Sequence, residues 1–134
     1  MDYYSGKSVL ITGGSSGIGL AIARDLVKRG SKVILLARRQ NLLEEAYSEL
    51  TTIPGIERDR VVLLQADVTR EKELKEILNQ FMDANGIPEI VINSAGVSHP
   101  GTFTSLKPEI FHWLMDVNYF GTVNVLKTIV PRMQ

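Results

Sequence analysis

Short apolar runs alternate with segments of helical periodicity along the chain, and this alternation restricts the fold more than any other feature. Each run is rich in Val, Ile and Leu without alternating polar residues, and the four runs are Val9–Ile11, Val33–Leu36, Val61–Leu64 and Ile90–Ile92. Continuous apolar runs of this kind are typical of strands that are buried on both faces of a parallel sheet. The sequence therefore predicts four such strands.

The segments between the runs carry apolar residues at helical spacing, and capping residues flank them. In the first helix the apolar stripe consists of Ile18, Ile22 and Leu26. Capping residues are expected at Gly30 (end of the first helix), Asn41 (start of the second), Thr69 and Gly86 (ends of the third) and Pro108 (start of the fourth). The order predicts an α/β fold: a doubly wound parallel sheet in three αβα layers, spanning residues 1–134 as one unit with strand order 3-2-1-4.

Composition excludes several classes of function. The 134 residues include 15 basic and 15 acidic side chains and no cysteine, so the net charge is zero. A neutral chain offers no bulk attraction for nucleic acid, and a chain without cysteine forms neither disulfides nor a thiolate zinc site. The longest apolar run, Val33–Ala37, is far shorter than the roughly 20 residues of a membrane-spanning helix. We expect a cytoplasmic protein with no transmembrane segment and no nucleic-acid partner.

A glycine-rich turn, Thr12–Gly19, follows the first strand directly and leads into the first helix. Glycines let the backbone approach a pyrophosphate, and the free N–H groups at a helix N-terminus hold the anion. The phosphate-binding candidates are Gly13, Ser15, Ser16, Gly17, Ile18 and Gly19. The alternative is a glycine turn that serves only to join strand and helix tightly.

The spacing of the glycines in this turn differs from that in the phosphate-binding loop (P-loop) of NTPases. The glycines read Gly13-x-x-x-Gly17-x-Gly19, which is not the literal G-x-G-x-x-G fingerprint. A P-loop would need Lys after its last glycine, whereas Leu20 and Ala21 follow here. The strand–turn–helix context favours dinucleotide binding and argues against an NTPase.

The end of the second strand indicates which dinucleotide is bound. Folds that use NAD often place an acidic residue about 20 positions after the glycine turn, where it binds the ribose 2′-hydroxyl. This chain has Arg38 and Arg39 there instead. Two guanidinium groups can pair with a 2′-phosphate, which favours NADP(H). The alternative is that both arginines are solvated charges at a strand end.

Three motifs together resemble the short-chain dehydrogenase/reductase family: Thr12–Gly19, Ala66–Thr69 and Asn93–Gly96. The resemblance extends over essentially the whole chain, and it implies a Rossmann-type fold with NAD(P)-dependent oxidation of alcohols or reduction of carbonyls. It further implies that Asp67 binds the adenine amino group, with the Val68 backbone beside it. The residues that would lie along the cofactor at the fourth strand are Asn93, Ala95 and Gly96.

Asn118 is the candidate catalytic residue. It shares a helical stripe with Leu114, Gly121 and Val125, and a polar amide on an apolar face needs hydrogen-bond partners. One interpretation is a core asparagine that is satisfied locally, for instance by its own backbone. The family resemblance implies instead that Asn118 distorts the helix and holds a water of the proton relay.

The family's catalytic Tyr-x-x-x-Lys is not found where it is needed. The only tyrosine with a lysine four residues later is Tyr3, with Lys7, and this pair precedes the first strand. We therefore expect the chain to be the N-terminal cofactor-binding part of an NADP-dependent reductase and to be inactive alone. The alternative is a truncated, non-catalytic NADP-binding protein.

Further expectations concern substrate and partners. The run Gly13–Gly17, the paired arginines and the stretch Asn118–Gly121 are similar to the 3-ketodihydrosphingosine reductases, a branch of the family that in eukaryotes is membrane-associated. A small or lipid-like carbonyl or alcohol substrate, and peripheral association with the endoplasmic reticulum, are the corresponding alternatives. The two histidines, His99 and His112, suggest no metal site. We expect the complete enzyme to be a homo-oligomer, and the exposed fourth strand of this chain to promote association.

Overall fold

One parallel sheet of four strands organises the chain, as seen in a computed structural model that describes residues 2–134. The strands are β1 (Ser8–Thr12), β2 (Lys32–Ala37), β3 (Val61–Gln65) and β4 (Ile90–Asn93). Their spatial order is β3-β2-β1-β4. Each strand contains one of the apolar runs, so the predicted strands and their order are confirmed.

The register brings the carboxyl ends of the strands to one edge of the sheet. Thr12 of β1 lies opposite Leu36 of β2 on one side and opposite Asn93 of β4 on the other. On the outer side of β2, Ala37 lies opposite Gln65 of β3. The segments that follow all four strands therefore leave the sheet at the same edge, which is where open α/β sheets bind ligands.

Helices connect the strands, and most of their predicted ends are confirmed. The helices are α1 (Gly17–Lys28), α2 (Gln40–Thr51), α3 (Glu71–Asn85), α4 (Pro108–Met115) and α5 (Gly121–Met133), with a short 3₁₀ turn at Arg58–Arg60. A π-helical segment, Asp116–Phe120, joins α4 to α5. Gly30, with φ +100°, follows the end of α1, and Gly86 caps α3.

Two predicted helix starts are wrong by one or two residues. Arg39, not Asn41, caps α2, because its extended backbone places its carbonyl to accept the first helical bond from the Leu43 N–H. Arg70, not Thr69, caps α3. The Thr69 N–H and hydroxyl are both bound by the Asp67 carboxylate, and this local turn delays the helix by one residue.

The side chains of the central strands alternate between two apolar cores, one on each face of the sheet. Val9 and Ile11 of β1 face the core that α1 and α2 cover. Leu10, between them, faces the core that α3 and α5 cover. Because helices shield both faces, continuous apolar runs are stable in these strands. The three αβα layers are confirmed.

The inward face of α1 differs from the predicted stripe. Its buried residues are Gly19, Ala23, Leu26 and Val27, whereas Ile18 is 75% exposed. A Cβ on Gly19 would overlap the Gly13 carbonyl oxygen, so α1 begins in direct contact with the turn before it. That contact turns the small residues inward and leaves Ile18 outside the core.

The edge strand β4 pairs with β1 alone, and its side chains are only half-buried or exposed. In the described residues 2–134, no helix combines the length and apolar character needed to cross a bilayer.

Candidate functional site

A cavity opens at the carboxyl edge of the sheet, above β1 and between the segments that follow β2, β3 and β4. Most of the residues predicted from sequence to bind a cofactor line it. These are Gly13, Ser15, Ser16, Arg38, Arg39, Asp67, Val68, Ala95 and Gly96. The segments that contribute these residues are far apart in sequence, and the order of the parallel strands brings them together at one edge of the sheet.

The glycine turn forms the floor of the cavity, and it is tightly packed. The Gly13 N–H donates to the Leu36 carbonyl at 2.8 Å, and Gly13 has φ +66°. A Cβ on Gly13 would lie 2.8 Å from the Ala95 Cα, so only glycine fits between β1 and the segment after β4. At Gly13 the turn therefore exposes backbone, rather than a side chain, to the cavity.

The start of α1 has the features of an anion site. Ser15 and Ser16 line the cavity, and neither hydroxyl has a hydrogen-bond partner within residues 2–134. Ser16 caps the helix in an extended conformation without a side-chain bond, and the first turn holds no acidic residue. Free N–H groups and the positive end of the helix dipole attract a phosphate at such a position.

Thr12 holds the segment after β4 in place, although it was not among the site residues predicted from sequence. Its hydroxyl oxygen is buried and accepts hydrogen bonds from the Ser94 and Ala95 N–H groups, each at 3.1 Å. This pair of bonds holds the segment after β4 beside Gly13. Asn93 ends β4 but does not line the cavity.

Arg38 and Arg39 occupy the short connection between β2 and α2, and both line the cavity. Both side chains are exposed, and neither takes part in an ion pair within the described residues. Two guanidinium groups that form no ion pair within the described residues, at a cavity wall, are suited to an anionic ligand group.

Asp67 also lines the cavity, in the turn between β3 and α3. Its Oδ1 accepts from the Thr69 N–H at 2.9 Å and from the Thr69 hydroxyl at 2.6 Å. Partial burial is the largest single influence and opposes its charge, but the hydrogen bonds from Thr69 and the nearby positive charges together hold the pKa of Asp67 below its usual value. The positive charges of Arg38 and Arg70 act in the same direction, so Asp67 is an anion at neutral pH.

Helix α5 supports the neighbouring residue, Val68. The Asn124 side chain donates from Nδ2 to the Val68 carbonyl at 2.9 Å. A Cβ on Gly121 would lie 2.6 Å from the Val68 Cγ2, so this glycine lets α5 approach closely. Asn124 was missed from sequence; the available signal was a polar residue beside the buried stripe of Gly121 and Val125.

Asn118 lies in the π-helical segment, and its side chain is exposed rather than buried among the apolar residues of its predicted stripe. Its Oδ1 accepts from the Val97 N–H at 2.8 Å, and its Nδ2 donates to the Val97 carbonyl at 2.9 Å. The amide is thus satisfied by a distant loop and not by its own backbone. The helix distortion implied by the family resemblance is present, and such π-helical segments are frequent at functional sites.

Several predicted residues do not reach the cavity. Its lining includes none of Gly17, Ile18, Gly19, Asn93 and Asn118, although Val97, the partner of Asn118, does line it. Ile18 instead contributes to a shallow groove on the far side of α1. Several apolar lining residues were not predicted, among them Leu42, Trp113 and Val117; isolated apolar residues on helices give no sequence signal for a site.

The Tyr3–Lys7 pair lies away from this cavity. It precedes β1 and so occupies the opposite end of the sheet from the glycine turn, where Lys7 pairs with Glu89 at 3.5 Å. Within residues 2–134, no three His, Asp or Glu side chains are grouped as metal ligands would be.

The fold and cavity define an α/β protein with a dinucleotide-type site, and comparison with known proteins specifies the family. The sequence profile of the short chain dehydrogenases matches residues 7–134. The chain belongs to this short-chain dehydrogenase family.

Individual relatives agree with that assignment. An NADPH-dependent pterin aldehyde reductase of Arabidopsis thaliana is 36% identical over 128 residues, covering 95% of this chain and 51% of the relative. A 3-ketodihydrosphingosine reductase of Bos taurus is 31% identical over 130 residues, covering 96% and 39% respectively. The crystal structure of L-sorbose reductase from Gluconobacter frateurii, complexed with NADPH and L-sorbose, superposes with a TM-score of 0.84 at 31% identity and covers 96% of this chain and 48% of that one. The chain thus spans about half, or less, of the length of these relatives.

Proposed function

We propose that the chain forms the NADP(H)-binding part of a reductase that interconverts carbonyl compounds and alcohols. The observation that carries the proposal is the convergence on one cavity of the glycine turn, the Arg38–Arg39 pair and Asp67. A phosphate-binding turn and an adenine-side carboxylate suit any NAD(P), whereas two unpaired guanidinium groups suit the 2′-phosphate of NADP(H).

The residues of this chain have distinct roles in the proposed complex. The backbone at Gly13–Gly19 and the Ser15 and Ser16 hydroxyls bind the pyrophosphate, and Arg38 and Arg39 bind the 2′-phosphate. Asp67 and the Val68 backbone contact the adenine. Ala95 and Gly96 line the path of the cofactor beyond the pyrophosphate, and Asn93, at the end of β4, supports the segment that carries them. When bound, NADPH supplies the hydride for carbonyl reduction.

Asn118 is the one residue of this chain that we propose to act in the proton relay. Its amide fixes Val97 of the cavity wall, and its remaining hydrogen-bond capacity would order a water there. The relay also needs a general acid, and no Tyr-x-x-x-Lys lies on a helix within residues 2–134. We therefore propose that the chain of 134 residues binds cofactor without turnover.

The substrate class is a small or lipid-like carbonyl compound. The similarity to 3-ketodihydrosphingosine reductases makes a long-chain keto compound the first substrate to test with any longer form of the protein. We propose a cytoplasmic location, with peripheral association at the endoplasmic reticulum as the alternative for a lipid substrate, and a homo-oligomeric complete enzyme.

The decisive experiment is a fluorescence titration of the chain with NADPH and NADH. We expect NADPH to bind more tightly, and the double variant R38A/R39A to weaken NADPH by at least about tenfold while changing NADH by less than about twofold, because each charge-assisted bond to a phosphate contributes about 1.5–3 kcal/mol. Equal losses for both nucleotides would refute the 2′-phosphate assignment.

A parallel assay distinguishes the proposed reductase part from a non-catalytic NADP-binding protein. The chain is mixed with NADPH and carbonyl substrates, and the loss of reduced cofactor is followed. We expect no turnover. An enzyme-like rate would contradict the proposed role of the chain as a cofactor-binding part.

A further inference from the structure

We infer that Gln65 is a positioning residue for cofactor selectivity, because its side chain holds the peptide from which Arg38 and Arg39 project. The inference rests on the proposed NADP(H) site. Gln65 is the last residue of β3 and lies opposite Ala37, the last residue of β2. Neither the glycine turn nor the family motifs include it.

The hydrogen bonds at the end of the sheet show how Gln65 acts. The main-chain ladder between β2 and β3 ends where the Ala66 N–H donates to the Ala37 carbonyl at 3.0 Å. One residue further, the Arg38 carbonyl accepts from the Gln65 Nε2 at 3.1 Å. The glutamine side chain thus adds one rung to the ladder where the β2 backbone turns away from the sheet.

This bond fixes a peptide plane and not a guanidinium group. The Arg38 carbonyl and the Arg39 N–H belong to the same planar peptide unit, so holding the carbonyl sets the direction in which both side chains leave the backbone. Neither guanidinium has an ion-pair partner within residues 2–134. Their placement toward the cavity therefore depends on the backbone, which makes the Gln65 bond relevant to the 2′-phosphate.

Because of where Gln65 lies, its role in cofactor selectivity can be tested separately from any role in folding. Its side chain is exposed, and it does not line the cavity. Loss of an exposed hydrogen bond has little effect on folding, so variants at this position are expected to fold. Since the proposed pyrophosphate contacts lie on another segment, and the Gln65 side chain bonds the Arg38 peptide rather than Asp67, the effect should be confined to the nucleotide that carries a 2′-phosphate.

The test compares Gln65→Met, which keeps the length of the side chain but removes the donor, with Gln80→Met on the exposed face of α3 as the matched control. NADPH and NADH are titrated by fluorescence, and thermal unfolding is recorded for each variant. We expect Gln65→Met to weaken NADPH about fivefold, because the Arg38–Arg39 peptide that Gln65 no longer holds must be ordered when the 2′-phosphate binds, and to leave NADH binding unchanged and the Tm nearly unchanged. The control should change neither nucleotide. The ¹³C shift of the Arg38 carbonyl should also move in Gln65→Met alone.

The possible outcomes are distinct. Equal weakening of both nucleotides, or no weakening of either, would overturn the role of Gln65. If R38A/R39A itself left NADPH binding unchanged, the proposed NADP(H) preference would fail, and this inference with it. If R38A/R39A weakened NADPH but Gln65→Met did not, only the inference would be wrong.

Discussion

The strands β1 and β4 have nearly the same apolar sequence but very different environments. Val9, Leu10 and Ile11 of β1 are completely buried, whereas the segment Ile90–Ile92 of β4 is only half-buried. β1 lies between β2 and β4 under helices on both faces, while β4 has a neighbour on one side only. The difference shows that an apolar run specifies a strand, but that its neighbours decide how much surface the strand buries.

The largest expected effect is on the free energy of unfolding, and it tests directly whether β1 and β4 differ in how much side-chain surface they bury. Ile11→Ala in β1 removes a completely buried side chain and should lower the free energy of unfolding by about 3 kcal/mol. Ile92→Ala in β4 removes a half-buried one and should cost about 1 kcal/mol. Urea denaturation measures both. Equal losses would mean that β4 is covered in solution, and repeating the measurement at higher protein concentration would show whether self-association covers it.

A smaller effect is expected at Val97, in the segment after β4, which the Asn118 side chain of the π-helical segment holds by two hydrogen bonds. Asn118→Ala removes both bonds to Val97 and should lower the free energy required for local opening by about 1 kcal/mol. Amide exchange at Val97 should then accelerate about fivefold. Asn85→Ala, which removes an exposed bond within α3, is the control and should leave Val97 unaffected. An unchanged exchange rate at Val97 would show that the Asn118 side chain does not hold this loop.

The smallest effect concerns the β3 side of the cavity and depends on pH. Because its pKa is lowered in the folded state, Asp67 stabilises the fold above the usual aspartate pKa of about 3.9, and this stabilisation is lost as the pH falls through the lowered value. Thr69→Val removes the hydroxyl bond to Asp67 and should move its pKa upward. An NMR titration of the Asp67 carboxyl group measures the shift. An unchanged pKa would mean that the Thr69 N–H and the nearby arginines alone hold the charge.

Much of the site was predictable because its signals are local in sequence. The glycine turn, the Arg38–Arg39 pair and Asp67 each follow an apolar run directly, and a parallel sheet brings such positions to one edge. The supporting contacts were not predictable in this way. Thr12, Gln65 and Asn124 act through one or two hydrogen bonds to backbone atoms that are distant in sequence, and no pattern within their own segments identifies the partner.

By itself, the sequence determined the strands, their order and most of the polar and glycine positions that face the cavity, since apolar periodicity and glycine spacing act over short distances. Only the tertiary structure decided which of these residues lie together. It left Ile18 outside the core, exposed Asn118 in a π-helical segment bonded to Val97, and left β4 at the edge of the sheet. The physical reason is that burial and hydrogen-bond partners depend on neighbours from other segments, and packing alone brings those neighbours into contact.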